Sequence, residues 1–475
     1  MLFSSKFLFM FYIIILVKYI KASTDENKIN YLEFPFKRNL SVNDTSNPNI
    51  VIKNLFYNQI YINISIGSLK REIPFYIYLQ QYANVVQSGN VIDSQVKGLF
   101  NESLSETYKI IKQCDSFVNG DMNKGILSSD KFFINNIFSN FTFYLSKQNR
   151  LFSHITEGGK IGFKLFKSYD ESLDTCFIKN LKKNNLISSS IFLLKYNSNN
   201  NKEDEDKGQL IIGAFPHLYD KVHYKEEYFI SDHIEKDYVP MYWVFKFDEI
   251  KINDEIIEKN NKEIYFYYEL GFIIGSYGFF QKLKNKDSFK YYFENNTKCF
   301  KTKLTINDLE TNEYKQNIKG DYFVYYCDKD TDVKKLNIST ISFVKKSMNY
   351  IFYFDENDLW IEKGNYKYFI ILERNVYNSG WCFGKPFFDK YSMIFDYDNS
   401  QIGLYTKILN DKSDDKNDLG KNNIILYILV IIGLLIIIGF LVFWLIKCYI
   451  NLPRKKRANE LIDENFEYEE AKLSI

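Results

Sequence analysis

From Tyr61 onward apolar and polar side chains alternate. Ile62, Ile64 and Ile66 are separated by Asn63 and Ser65, and beyond a turn at Gly67-Ser68 the series Ile73, Phe75, Ile77, Leu79 repeats the same period of two. That period places every second side chain on one face of a strand, so the two runs predict a hairpin. Short β-branched or aromatic runs bounded by Asn, Asp, Gly and Lys continue to about residue 406, with no heptad and no long amphipathic helix, which predicts a mainly β domain. Residues 24–50 are polar and read as a loose leader ahead of the fold. Asn197–Lys207 is a charged, low-complexity stretch between IFLLKY and QLIIGAF and predicts a solvated hairpin tip.

Two apolar runs stand apart from this pattern. Phe7 to Val17 is too short to cross about 30 Å of hydrocarbon and is followed by Lys18, Lys21 and Ala22-Ser23, so residues 1–22 read as a cleaved signal peptide. Residues 424–446 are uncharged and long enough for a transmembrane helix, and Lys447 and Arg454-Lys455-Lys456-Arg457 follow them. By the positive-inside rule the tail 447–475 is cytoplasmic and the rest is luminal or extracellular, on a juxtamembrane stalk of residues 409–423. The expectation is a single-pass type I protein of the secretory pathway or cell surface. Asn39, Asn43, Asn63, Asn101, Asn140, Asn295 and Asn337 carry the N-x-Ser/Thr glycosylation pattern, and none of these lies in the tail. Cys114, Cys176, Cys299, Cys327 and Cys382 fall on the side where disulfides are permitted, an odd number that leaves one thiol unpaired.

Composition narrows the function classes. A chain of 475 residues that is 46% hydrophobic and 18% aromatic has enough apolar mass for one large two-lobed domain with appendages. Lys+Arg 61 against Asp+Glu 59 gives a formal charge of +2, so no global field points to nucleic acid. His154, His217, His223 and His233 match no metal-ligand spacing, and no cofactor motif is present. Cys382 has no basic partner in sequence that would make it a nucleophile, and packing or a disulfide with Cys114 or Cys176 accounts for it.

The landmarks taken in order resemble the pepsin-like aspartyl proteases over about residues 55–406. Tyr61–Gly67 is similar to the family's opening hairpin, Gly125–Asp130 to the segment after the flap, and Phe177–Leu181 to the helix closing the first lobe. Gly208-Gln209-Leu210-Ile211-Ile212-Gly213 looks like the stretch before the lobe junction, and Tyr242–Phe245 like the start of the second lobe. The run Trp381-Cys382-Phe383-Gly384-Lys385-Pro386-Phe387-Phe388, continued by Ile394-Phe395-Asp396, is the most specific piece. The resemblance implies a bilobal β fold with lobes at residues 51–235 and 236–408, behind a leader of residues 23–50. It also implies a disulfide between Cys299 and Cys327 and a flap at Phe117 and Val118.

The family's chemistry requires one Asp from each lobe, because two carboxylates held close together share a proton and divide the roles of base and acid. Counted from the hairpin, the first Asp-Thr-Gly-Ser falls on Gln80-Gln81-Tyr82-Ala83. The second, counted back from Ile273-Ile274-Gly275, falls on Tyr267-Tyr268-Glu269. Gln80 is a neutral amide and Tyr267 stays protonated near neutral pH, so neither replaces a carboxylate. The expected function is therefore a degenerate protease that holds an extended peptide or protein ligand in the interlobe groove, or serves structurally. The competing class is an aspartic endopeptidase with displaced catalytic residues.

Overall fold

The computed structural model describes residues 29–38, 47–79, 84–89, 99–114, 125–134, 137–146, 158–165, 175–196, 207–234, 242–295, 298–306, 320–374, 380–408, 439–444 and 446–447. Residues up to Lys407 form one compact unit and those from Ile408 a second. The second unit contributes Ile408 and helical residues between 439 and 447 to the described set. Among the described residues no helix is long and apolar enough to cross a membrane. The signal peptide, the stalk and most of the 424–446 run lie outside them.

The alternation at residues 60–79 folds as read. Strands Ile60–Ile66 and Arg71–Tyr78 pair antiparallel, with Ile62, Ile64, Ile66, Ile73, Phe75 and Ile77 buried. The described strands form a thirteen-stranded and an eleven-stranded sheet. A core running through both sheets joins Phe75, Phe163, Phe192, Trp243, Phe266 and Phe395. The Trp243 indole N–H donates to the Phe163 carbonyl at 2.6 Å, so the start of the second lobe is tied into the first.

Two expectations need correcting. Residues 23–50 are not simply a leader, because Leu32–Arg38 is an inner strand of the larger sheet, paired with Lys207–Ile212 on one side and Ile60–Ile66 on the other. Its Leu32, Phe34 and Phe36 are buried, at the spacing of two that a strand requires. A helix then begins at Pro48, ahead of the expected lobe start. Asn47 caps it and Val51, Ile52, Leu55 and Phe56 form its buried stripe. The lobe boundary at 235 and 236 divides the chain but not the sheets. Strands Ile394–Asp396 and Gln401–Tyr405 return to pair with Ile191–Tyr196 and Phe229–His233.

The expected disulfide is present, joining Cys299 and Cys327 across facing strands, while Cys176 and Cys382 are buried. Among the acceptor asparagines, Asn63, Asn140, Asn295 and Asn337 are exposed. Asn101 is half-buried and caps a short 3-10 turn by accepting from the Ser103 amide. Asn39 and Asn43 lie outside the described residues.

Candidate functional site

Each lobe contains the same four-strand unit. In the first, Arg71–Tyr78 runs parallel to Gly159–Gly162, and Val85–Gln87 lies antiparallel to that strand and parallel to Ile137–Ser146. In the second, Glu255–Phe266 runs parallel to Trp381–Phe383, and Ile273–Gly275 lies antiparallel to that strand and parallel to Ile371–Arg374. The loops entering Val85 and Ile273 therefore occupy equivalent places in the two lobes.

The pairing fixes which residues correspond. Ile77 faces Ile161 and Val85 faces Lys160 in the first unit, while Phe266 faces Phe383 and Ile274 faces Cys382 in the second. Eight positions separate Ile77 from Val85 and eight separate Phe266 from Ile274, so the two loops have equal length. Gln80, three past Ile77, then corresponds to Glu269, three past Phe266, and Tyr82 corresponds to Gly271. The counterpart of Gln80 is thus Glu269, and not Tyr267 as the count back from Gly275 gave. Tyr267 continues the ladder instead, its amide donating to the Phe383 carbonyl at 2.9 Å. Its side chain is buried in a cluster with Leu270, Tyr322, Tyr368 and Cys382. The Glu269-Leu270-Gly271 string also puts a glycine in the second loop where the family's Asp-Thr-Gly has one.

Gly271 is there because backbone approaches it closely. A Cβ added at this position would lie 1.6 Å from the Leu55 carbonyl oxygen. The Gly271 amide donates to the Phe56 carbonyl and the Asn58 amide donates to the Glu269 carbonyl, both at 2.9 Å, and Tyr57 bridges Leu270 between them. The Asn58 side-chain amide donates to the Tyr268 carbonyl at 2.6 Å, and the Lys385 amide donates to the Leu270 carbonyl at 2.7 Å. The backbone of the second loop is thus engaged along its length by the chain itself.

Around Glu269 the chemistry is sparse. Burial pushes the Cys382 thiol up to about 11, with the Arg374 guanidinium opposing the shift and the Glu269 carboxylate adding to it. Arg374, itself buried, places a terminal nitrogen 4.0 Å from the Cys382 sulfur. Such a thiol is inert at neutral pH. Lys160, which faces Val85, is buried, and its ammonium lies 5.5 Å from the Tyr78 ring centroid. Gln80, Phe117 and Val118 lie outside the described residues, as does His154. His217 bonds Tyr405, His223 bonds Asp220 and His233 bonds Gln401. Among the described residues no group of His, Cys, Asp and Glu could hold a metal.

Sequence reading missed Glu269 and the Pro48–Phe56 helix. Both carried a signal: the string Glu-Leu-Gly, and the Asn-Pro cap followed by apolar residues at helical spacing. The family model described as eukaryotic aspartyl protease matches residues 80–407. The match begins at Gln80 itself, so the inner strand, the helix and the first hairpin precede it. A search of curated proteins gives no match.

Proposed function

The chain belongs to the eukaryotic aspartyl protease family, and from that premise we propose that it binds polypeptide without cutting it. The correspondence of Gln80 with Glu269 carries this reading. With an amide at one of the two corresponding positions there is no second acid to share a proton, so one group cannot act as base while the other protonates the leaving amine. Loss of either member of such a unit costs about four or more orders of magnitude in rate, judging from knockouts of other catalytic units. What such a site retains is the strand-edged space between two loops, which suits extended backbone.

The same proposal covers the setting. An apolar run at 424–446 with basic residues after it supports a single-pass type I membrane protein of the secretory pathway or cell surface, with a glycosylated ectodomain. The test uses the full chain in detergent, a broad peptide library from about pH 3 to 7, and a transition-state inhibitor of aspartyl proteases. Retention of peptides without inhibitor-sensitive cleavage is the expected result. Inhibitor-sensitive cleavage would overturn the reading and establish the endopeptidase in its place.

A further inference from the structure

Residues 56–58 already do what an extended ligand would do beside Glu269. They lie antiparallel to 269–271, with one backbone hydrogen bond in each direction and a bridge between Tyr57 and Leu270. We propose that the segment Pro48–Asn58 is a built-in occupant of the second-lobe half of the interlobe site, and that a polypeptide ligand enters there only by replacing Phe56–Asn58 on the 269–271 edge. The proposal rests on the binding reading given above and names where that binding is restrained.

Three observations carry it. The segment is seated by side chains as well as backbone: Val51, Ile52, Leu55 and Phe56 share a hydrophobic cluster with Tyr267, Leu270 and Phe272 of the second loop. That cluster is distinct from the main core and also holds Ile274, Val324 and Leu372 of the smaller sheet, so release of the segment parts only the side contributed by Val51, Ile52, Leu55 and Phe56. A nine-residue helix is also too short to be stable by itself, so its place depends on this seat. Finally, the segment is held at both ends. The Leu32–Arg38 strand precedes it between two partners and Ile60–Ile66 follows it, so it can swing off its seat but stays tethered.

The contact can be weakened from either side. Leu55→Ala removes apolar contact from the helix, and Gly271→Ala drives a methyl group into the Leu55 carbonyl from the loop. Hydrogen exchange and retention of a broad peptide library would be measured on the full chain and both variants. The expected result is that exchange rises at least tenfold at 48–58 and 267–273, stays unchanged in Ile191–Tyr196, and is accompanied by at least tenfold greater peptide retention. If exchange rises throughout the domain, the segment is ordinary core and the proposal fails. If it rises locally while retention equals that of the unaltered chain, the proposal fails and the binding reading stands. If it rises locally and none of the three chains retains peptide, both fail.

Discussion

Lys164, two residues past the strand Gly159–Gly162, is fully buried, with its ammonium 4.6 Å from the Tyr242 ring centroid. Burial lowers its pKa to about 6. The folded chain therefore holds this proton less tightly than the unfolded chain, which binds more protons from about pH 6 up to the ordinary lysine range, and stability rises with pH across that window. Lys164→Met is expected to raise the thermal midpoint at pH 7 and to raise it much less near pH 10. Equal gains at the two pH values would assign the effect to packing instead. Cys382 gives a second test at this scale. With its thiol pushed up to about 11 and its side chain buried, it should resist alkylation at pH 8 in the folded protein and react once denaturant is added. Labelling of Cys382 in the native state would show the second loop to be open.

At the scale of elements, what the sequence disclosed depended on whether a pattern was read against the right neighbours. The hairpin at 60–78 was legible because alternation is a local property, whereas the helix at Phe177–Leu181 and the closing run from Trp381 were legible only through the family resemblance. Leu32, Phe34 and Phe36 alternate just as clearly, but the strand has Pro35 at its centre and polar residues on both sides, which made it look like leader. Pro35 lies opposite Gln209 within the pairing with Lys207–Ile212, and it is tolerated because the pairing with Ile60–Ile66 begins only at Phe36, so that side is an edge at Pro35. Phe36 is 1% exposed. Phe36→Ala should therefore cost about 3–5 kcal/mol in denaturant unfolding, as in any well-packed core. A cost below about 1 kcal/mol would return the segment to the status of a leader. The correspondence of Gln80 with Glu269 was harder to read: the string Glu-Leu-Gly hints at it, but the match depends on two parallel registers set by strands far apart in sequence.

For the molecule as a whole, the question is whether the proposed lack of cleavage would reside in two side chains or in the space around them. Gln80→Asp with Glu269→Asp restores the residue types that the family's chemistry requires, at positions that correspond across the two lobes. Chemistry also needs the two carboxylates to approach to within a few ångströms, and a small misplacement removes most of the gain. The first loop has Tyr82 where the second has Gly271, so its backbone has not kept the residue that permits the closest approach. On the other side, Phe56–Asn58 already engages the backbone of Glu269 and Gly271. The double variant should consequently show no inhibitor-sensitive cleavage of a peptide library between about pH 3 and 7. Adding Tyr82→Gly and Leu55→Ala relieves both obstacles, and any cleavage that can be recovered should first emerge in that quadruple variant. Cleavage by the double variant alone would place the whole defect in Gln80 and Glu269, and would mean that the segment preceding Asn58 does not obstruct the site.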